Sequence, residues 1–399
     1  MAGLIPTELH RYSIGDISRG LIAARKRVES QTVIHLPGLG DGIPIRSARA
    51  AVIVALKALG MPPGSRIGVP LYCCPVVFKA IKAAGCVPRF LDIDTETFCL
   101  SPKDLQTKRS GIDALIAVHM FGNLCDMPKI LEIIAGKPII EDCAQSLGSK
   151  LAGRASGSFG NISVFSFRSG KYLSTGEGGA LFSKNKELLS SLSIMTSSLP
   201  VPNLREEVVY VLKTYIKSAL RSRRMWGWLG SKFWSVYNKR TDFIDKSPII
   251  SGRIYASNFE IILRRMPHLD SMIANQRTHA IYYENNLLLD PQMICKEPPG
   301  FYFNRFMYPI IFPSTLLKNM IASHLRRHGI DSSTPYEEAI TGAAINYDYK
   351  GDCPIAESLL ERTLVIPSYY KLGASEVKYI ARQVNEAWTS SSARMPSRD

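Results

Sequence analysis

The chain has 399 residues, of which 46% are hydrophobic and 21% are charged, the composition of an ordinary globular protein. This length is enough for roughly two to three domains around a large buried core. No apolar run is long enough to span a bilayer, and no basic stretch followed by an apolar one marks the N-terminus, so we predict a cytoplasmic protein. The net charge of +15 favours anionic partners.

Metal and dinucleotide motifs are incomplete in this sequence. The eight cysteines are scattered, with no Cys-x-x-Cys and no His/Cys pair at zinc spacing, so we predict neither a zinc site nor structural disulfides. His324 and His328 are four residues apart on a predicted helix but lack a third ligand. Gly38-Leu39-Gly40 follows a predicted strand, but its third glycine is misplaced for a dinucleotide fingerprint, which favours an exposed turn.

Short apolar runs alternate with helix-length segments through the first half of the chain. The runs cover residues 66–70, 87–93, 113–119, 138–140 and 163–167, and the helical segments cover 75–84, 102–108 and 127–135. The runs are apolar throughout, which is typical of strands that are buried on both faces. The pattern therefore predicts an α/β fold with a mostly parallel sheet covered by helices.

The most informative stretch runs from Ile139 to Leu181. Its first part predicts a buried strand that delivers the carboxylate of Asp142 at its carboxyl end. Its second part predicts another buried strand, followed by a turn of small residues with one lysine, Lys171, and a Gly-rich turn. The lysine can form an imine with the aldehyde of pyridoxal phosphate (PLP), and the carboxylate can keep the pyridine nitrogen protonated.

Three motifs in this stretch carry a family resemblance: Glu-Asp-Cys-Ala-Gln-Ser-Leu-Gly, Phe-Ser-Phe-Arg-Ser-Gly-Lys and Thr-Gly-Glu-Gly-Gly. They resemble the signatures of the DegT/DnrJ/EryC1/StrS aminotransferases, and the similarity extends from about residue 45 to 388. The resemblance implies a fold-type I PLP enzyme that moves an amino group from glutamate to a keto sugar on a nucleotide, as in polysaccharide or antibiotic sugar synthesis. It also implies a homodimer with its active site near the interface.

The resemblance and the local chemistry together predict the cofactor site. Lys171 is the predicted Schiff-base lysine, Asp142 the partner of the pyridine nitrogen, and Gln145 a partner of the ring hydroxyl. Tyr72 matches an aromatic position that stacks on the ring, although a tyrosine chosen at random is more often a core residue. Ser166 matches a serine that binds the cofactor phosphate.

A predicted helix over residues 46–60 completes the phosphate site. Ser47 is a good N-cap, and the free N–H groups of a helix start suit a phosphate. The family pattern Ser-Gly-Thr is replaced here by Ser47-Ala48-Arg49. We predict that Arg49 binds the phosphate as a charged fork, with pairing to a surface carboxylate as the alternative.

Two further residues are predicted on the substrate side. His119 follows a strand at the edge where open α/β sheets place ligands, although a lone histidine is more often structural. Arg253 matches the arginine of the family's Gly-x-Asn-x-Arg, whose asparagine reaches the neighbouring subunit's cofactor. Ser251 takes the place of that asparagine here.

The segment from residue 204 to 234 is basic and amphipathic. It contains three of the four tryptophans, Trp226, Trp228 and Trp234. Its predicted apolar stripe contains Leu204, Val208, Val211, Leu212, Tyr215, Ala219 and Leu220. Such a helix can pack on the protein or a dimer partner, which we favour, or it can lie on an anionic membrane. No recognised motif accompanies the charge, so we predict no nucleic-acid partner.

The predicted organisation is a large PLP-binding domain over residues 1–262 and a smaller C-terminal α+β domain over 263–388. A basic amphipathic insert covers about residues 200–245, and a polar, disordered tail covers 389–399. Two other functions remain open from the sequence. They are a PLP-binding regulatory protein without turnover, and a PLP enzyme of another reaction type.

Overall fold

A computed structural model describes residues 3–8, 12–26, 28–29, 32–220 and 249–392. The helices are α1 Ile14–Ala23, α2 Ala48–Ala58, α3 Val76–Ala83, α4 Pro102–Lys108, α5 Met127–Ile133, α6 Lys186–Ser197, α7 Leu204–Leu220, α8 Ala256–Arg265, α9 Leu269–Asn286, α10 Thr315–Arg327, α11 Ala339–Tyr347, α12 Pro354–Arg362 and α13 Ala374–Ser392. The strands are β1 Ile34–Leu36, β2 Gly40–Ile45, β3 Arg66–Pro70, β4 Val87–Leu91, β5 Ala114–Val118, β6 Ile139–Asp142, β7 Lys150–Leu151, β8 Arg154–Ala155, β9 Ile162–Ser166, β10 Gly179–Phe182, β11 Phe301–Tyr302, β12 Tyr308–Ile311 and β13 Thr363–Ile366.

The large sheet has the strand order β1-β2-β10-β9-β6-β5-β3-β4. Strands β9, β6, β5, β3 and β4 run parallel, and β10, β2 and β1 join them by antiparallel pairing. Strand β5 is buried along its whole length, which explains why its sequence is continuously apolar. Strand β6 is equally buried, but only its first two residues are apolar, and Glu141 and Asp142 end it. The predicted α/β fold with a mostly parallel sheet is confirmed.

The second half of the chain contains a two-stranded sheet with its own group of helices. Strands β12 and β13 pair antiparallel, and α9, α10 and α13 share a separate apolar core with them. Helices α11 and α12 instead pack into the core of the large sheet through Ala343 and Leu360. The last helix extends to Ser392, past the start predicted for the tail at residue 389, and residues 393–399 lie outside the described residues.

Helix α7 lies against the N-terminal helix and the Gly-rich turn before β10. Its inward face contains Glu207, Val211 and Ser218, and Glu207 accepts a hydrogen bond from the N–H of Ser257 at 2.6 Å. Other apolar side chains of the predicted stripe, including Leu212 and Leu220, are exposed. Within one chain, the inward face of α7 therefore includes only part of the predicted stripe, together with the buried polar side chains of Glu207 and Ser218. The tryptophans predicted beyond it lie outside the described residues.

Within the described part of the chain, no helix is both long enough and apolar enough to cross a membrane. All eight cysteines are free thiols.

Asp92 joins the two parts of the chain beyond the end of β4. Its carboxylate accepts hydrogen bonds from the N–H groups of Ile355 and Ala356, at 3.0 and 2.7 Å, in the first turn of α12. The side chain also accepts from the N–H of Ile93 at 2.9 Å. A buried carboxylate at a helix start satisfies donors that have no partner in the helix and complements the helix dipole.

Substitution of Asp92 should destabilise the fold. Asp92→Ala leaves three N–H groups without their acceptor, and we expect the free energy of unfolding to fall by about 2 kcal/mol. Urea denaturation measures this change. The matched control is Asp126→Ala, because Asp126 caps α5 through a longer, 3.4 Å bond at an exposed site and should cost less than about 1 kcal/mol. Equal losses of unfolding free energy in the two variants would contradict the conclusion that Asp92 joins the two parts of the chain.

Candidate active site

Asp142 ends β6 at the carboxyl edge of the parallel strands, with β5 and β9 as its neighbours. Its side chain is buried, and Oδ1 accepts a hydrogen bond from the N–H of Ala144 at 3.0 Å. Burial raises the pKa of Asp142, while the Ala144 bond and the positive charge of Lys171 oppose that rise. This buried carboxylate and Lys171 are therefore within electrostatic reach of each other.

Lys171 lies on the turn that links β9 to β10. Its N–H donates to the carbonyl of Arg168 at 3.1 Å, and its ammonium group lies 4.4 Å from the ring centroid of Phe306. Burial, followed by the positive charge of Arg168, lowers the pKa of Lys171 to about 8. An appreciable fraction of the amine is therefore unprotonated near neutral pH, which is the form that attacks an aldehyde.

A cavity lies against Lys171. Both halves of the chain contribute to its walls. They include Thr7, Glu8, Tyr172, Phe306, Tyr370 and Lys371.

The start of α2 lies beside the Gly-rich turn that follows Lys171. Ser47 forms a parallel bridge with Gly178, and a Cβ at Gly179 would come within 2.7 Å of the backbone nitrogen of Ala48. Only glycine therefore allows this approach. The Ser47 hydroxyl accepts from the N–H of Ala50 at 3.2 Å and donates to the carbonyl of Ile250 at 2.6 Å. Ser47 is thus a true N-cap whose hydroxyl is engaged by the protein backbone.

Two arginines face this helix start. Burial and the nearby charge of Arg168 lower the pKa of Arg49, and the pull of Cys74 and Glu177 in the other direction is smaller. Burial also raises the pKa of Glu177. Two guanidinium groups this close repel each other, and a phosphate between them would relieve the repulsion.

Ser166 ends β9 and pairs in register with Gly179 of β10. Its hydroxyl accepts a long, 3.4 Å hydrogen bond from the N–H of Arg168. The structure thus brings Ser166, Lys171 and the start of α2 together at one edge of the sheet.

Gln145 follows Asp142 and connects two parts of the site. Its Oε1 accepts from the N–H of Phe121 at 3.0 Å, and its Nε2 donates to the hydroxyl of Tyr336 at 2.8 Å. Tyr336 comes from the second half of the chain and has a left-handed backbone, with φ of 63°. Such strain in a residue that is not glycine is common at functional sites.

The structure does not support a stacking role for Tyr72. The side chain is fully buried, and its ring has edge contacts with Phe98, Phe121 and Tyr336 at 5.2, 5.9 and 6.3 Å between centroids. A ring without an exposed face cannot stack on a cofactor. Tyr72 is the core tyrosine of the alternative interpretation.

His119 is also a structural residue, contrary to the substrate role predicted for it. The side chain is fully buried, and its Nε2 lies 3.0 Å from a carboxylate oxygen of Glu141. Its Nδ1 accepts a hydrogen bond from the N–H of Cys125 at 3.2 Å. Both ring nitrogens are therefore occupied inside the core.

The predicted substrate role of Arg253 also lacks structural support. Its guanidinium donates to the carbonyl of Val28, on the segment after α1. The flanking residues close on the same chain's helix start, because the N–H of Arg46 donates to the carbonyl of Gly252 at 3.0 Å and Ser47 bonds Ile250. Ser251 thus lies near the start of α2 of its own chain.

Arg168, Tyr336 and Glu8 are site residues that sequence reasoning missed. Arg168 stands inside the quoted lysine motif, so its position was a usable signal. Tyr336 and Glu8 lie more than 150 residues from Lys171 in the chain, and no local pattern connects them with it. Elsewhere, His324 and His328 stack at 4.1 Å between ring centroids, and His324 Nε2 lies 3.0 Å from the Gln383 amide oxygen, a structural explanation for the pair.

The architecture is that of PLP-dependent aminotransferases. Spr1654 from Streptococcus pneumoniae, solved in forms with PMP and with PLP, has a similar fold. In its PMP form it matches with a TM-score of 0.75 at 18% identity, over 97% of this chain and 99% of that one. This likeness confirms the predicted fold.

The chain belongs to the DegT/DnrJ/EryC1/StrS aminotransferase family, whose sequence model matches residues 31–209 and 231–385. The family is PLP-dependent. The chain is 27% identical to the GDP-perosamine synthase of Escherichia coli O157:H7, over 86% of this chain and 85% of that one. It is 26% identical to a UDP-N-acetyl-3-dehydro-alpha-D-glucosamine 3-aminotransferase of Acidithiobacillus ferrooxidans, over 90% and 88%. The predicted enzyme class, an aminotransferase, is confirmed.

The reactivity of Lys171 should reveal its lowered pKa. In the cofactor-free protein, we expect labelling by an amine-specific reagent to reach half its maximal rate near pH 8, because only the neutral amine reacts. An ordinary lysine has a pKa of about 10.4 and would react half-maximally near that pH. Peptide mass spectrometry over pH 6.5–11 gives the rate at each lysine, and exposed Lys57 serves as the internal reference. A Lys171 profile that matches that of Lys57 would contradict the site geometry.

Proposed function

We propose that the chain transfers an amino group from an amino acid, glutamate by family resemblance, to a keto sugar carried on a nucleotide. The observation that carries the proposal is the meeting of Asp142 and Lys171 at neighbouring strand ends, beside a helix start with two arginines. The names of the E. coli and A. ferrooxidans relatives, both tied to nucleotide sugars, support the acceptor class.

The residues of the site fit PLP. Asp142 is buried and carries a raised pKa, so a protonated ring nitrogen beside it would stabilise its charged form. Arg49, Arg168, Ser166 and the first N–H groups of α2 would hold the phosphate, and Gln145 lies within the same turn as Asp142. When bound, PLP supplies an electron sink for charge that develops at the substrate carbon.

The protein's part in the reaction is to position groups and to move a proton. The Lys171 amine, with a pKa of about 8, can accept a proton and return it near neutral pH. The carboxylate of Asp142 would pair with the protonated ring nitrogen of the cofactor and thereby remain charged. The apolar ring of Phe306, 4.4 Å from the amine, reduces the water around it.

Two alternatives are distinguished by turnover. A PLP-binding regulatory protein would keep the visible absorbance of its lysine-bound cofactor when glutamate is added. A PLP enzyme of another reaction type would release a product other than an amino sugar. A transaminase loses the visible absorbance of its lysine-bound cofactor on addition of glutamate and regains it on addition of the keto sugar.

Removal of the Lys171 amine should abolish both halves of the reaction. We expect Lys171→Ala to lower the rate of the glutamate-driven absorbance change by at least ~10³-fold, because the variant lacks both the attachment point and the proton carrier. Stopped-flow absorbance measures the rate. Lys57→Ala, at an exposed position on α2, should react as the wild type does. Transamination that survives in Lys171→Ala would refute the assigned role.

We also propose that the working enzyme is a cytoplasmic homodimer with its site near the interface, as the family resemblance implies. The eight free thiols are compatible with a reducing compartment. Sedimentation equilibrium should give twice the mass of one chain.

We further propose that the outer face of α7 contacts an anionic membrane surface. Its exposed apolar side chains are Val209, Leu212, Ile216 and Leu220, spaced three and four residues apart. Lys213 and Lys217 lie among them on the exposed side. A second copy meeting this face about a twofold axis would bring lysines against lysines, whereas anionic lipid offers negative head groups and an apolar layer.

Polar substitutions on this face should weaken the membrane contact. We expect the double substitution Leu212→Gln and Ile216→Gln to reduce co-sedimentation with phosphatidylglycerol-containing vesicles several-fold, because apolar burial and charge act together. Ile345→Gln removes a still more exposed isoleucine from α11 and should have no effect. Unchanged binding in the double variant would show that α7 does not carry the contact.

A further inference from the structure

The N-terminal segment, residues 4–8, is fixed against the C-terminal half of the chain before it reaches the active site. Ile5 pairs with Ile330 in a parallel bridge, and its N–H donates to the carbonyl of Gly329 at 2.8 Å. Its carbonyl accepts from the N–H of Asp331, also at 2.8 Å. Leu4 and Ile5 are both buried. The position of the following residues is therefore determined by backbone pairing and apolar packing.

This pairing directs Glu8 into the cavity that holds Lys171. Thr7 and Glu8 form one wall of the cavity, and Tyr172, Phe306 and Tyr370 supply aromatic surfaces elsewhere in its lining. The negative charge of Glu8 acts on Lys171 more strongly than that of Asp142 does. It also reaches Tyr336, the residue that bonds Gln145. Glu8 thus belongs to the same electrostatic environment as the reacting lysine.

The chemistry of a carboxylate limits what can bind next to it. An ionised carboxylate accepts hydrogen bonds and donates none, so it suits hydroxyl groups and repels phosphates and other carboxylates. A neutral ring with several hydroxyls also presents C–H faces that pack on aromatic side chains. The glycosyl part of a nucleotide sugar has both features. The donor amino acid can offer Glu8 its ammonium group, but it has no hydroxylated ring, and Glu8 repels its one or two carboxylates.

The segment lies before the part of the chain that the family's sequence model matches. The family's sequence model begins its match at residue 31, whereas the sheet and the lysine turn are inside it. The lysine turn and the central sheet thus lie inside the matched region, while the wall formed by residues 4–8 precedes it. Residues that choose between acceptors are expected in such a position, because they can differ without changing the chemistry.

We propose that Glu8 is a specificity-determining residue for the acceptor, and that its carboxylate accepts hydrogen bonds from hydroxyl groups of the sugar ring held beside Lys171. The proposal rests on the proposed function and names the group that reads the sugar. Glu8 acts on binding of the acceptor and has no part in the donor half-reaction.

The test compares the two half-reactions in the PLP-loaded full-length enzyme. L-glutamate drives the donor half-reaction, and the acceptor half-reaction is run in reverse with GDP-perosamine and with a UDP-linked 3-amino sugar. Stopped-flow absorbance follows both. For Glu8→Gln we expect kcat/KM for the amino sugar to fall by about 10- to 100-fold, because charge-assisted hydrogen bonds are lost. The rate with glutamate should stay within about twofold of the wild type, since the donor does not use Glu8.

A deoxy analogue makes the test specific for hydroxyl recognition. If Glu8 bonds a ring hydroxyl, the effect of Glu8→Gln should shrink to near onefold with the amino sugar that lacks that hydroxyl. Glu29→Gln, an exposed carboxylate just after α1, is the matched control and should leave both half-reactions unchanged. The pH profile of Lys171 labelling provides a second readout, and we expect Glu8→Gln to lose acceptor activity even at pH values where the amine is fully neutral.

Each other outcome is decisive. Unchanged amino-sugar kinetics in Glu8→Gln would overturn the proposal. Equal losses with glutamate and with the amino sugar would also overturn it, since Glu8 would then act on Lys171 or on the fold. Wild-type enzyme that reacts with glutamate and with no amino sugar would contradict the sugar class and leave Glu8 without its ligand. Wild-type enzyme that does not react with glutamate would contradict the proposed function itself.

Discussion

A buried charge next to the active site holds the central strands in place. The carboxylate of Glu141 is fully buried and accepts hydrogen bonds from the N–H groups of Gly157, Phe159 and Gly160 at 2.9, 2.7 and 2.6 Å. His119 supplies a further contact at 3.0 Å. Burial acts to raise the pKa of Glu141, but the hydrogen bonds from His119 and from the backbone outweigh it, and the pKa lies below its usual value. The next residue is Asp142, so this network also fixes the end of β6 that carries the Asp142 carboxylate. The proposed reaction depends on the position of that carboxylate.

The adjacent carboxylates Glu141 and Asp142 have opposite environments. Glu141 has enough donors to remain charged without any ligand, whereas the pKa of Asp142 is raised and its charge depends on what occupies the site. Strand geometry produces the difference, because successive side chains of β6 point to opposite faces of the sheet. One face meets the loop around Gly157, and the other meets the turn of Lys171. A functional acid is thereby placed next to a structural one without sharing its partners.

The sequence predicts the parts of this molecule that depend on local pattern. Continuous apolar runs locate the parallel strands, Ser47 is the N-cap of α2, and the motif around Lys171 identifies the lysine turn. The errors at Tyr72 and His119 have a common cause. Both residues follow strands at the ligand-binding edge, where the chain pattern is the same for a side chain that faces the cavity and one that faces the core. Burial at that edge is decided by residues far away in sequence, such as Tyr336 and Glu141, and is not visible locally.

The lysine turn and the N-terminal segment differ in how tightly the rest of the protein packs around them. The lysine turn is enclosed by close contacts, since a Cβ at Gly176 would lie 2.4 Å from the hydroxyl of Tyr210 on α7. Little can change there without loss of the site. The N-terminal segment is held mainly by backbone hydrogen bonds and two apolar side chains, so the residues that follow Ile5 can vary while its anchor remains. The reaction and the recognition of the acceptor therefore depend on different parts of the chain. Recognition depends on the N-terminal segment, which makes fewer structural contacts than the lysine turn does.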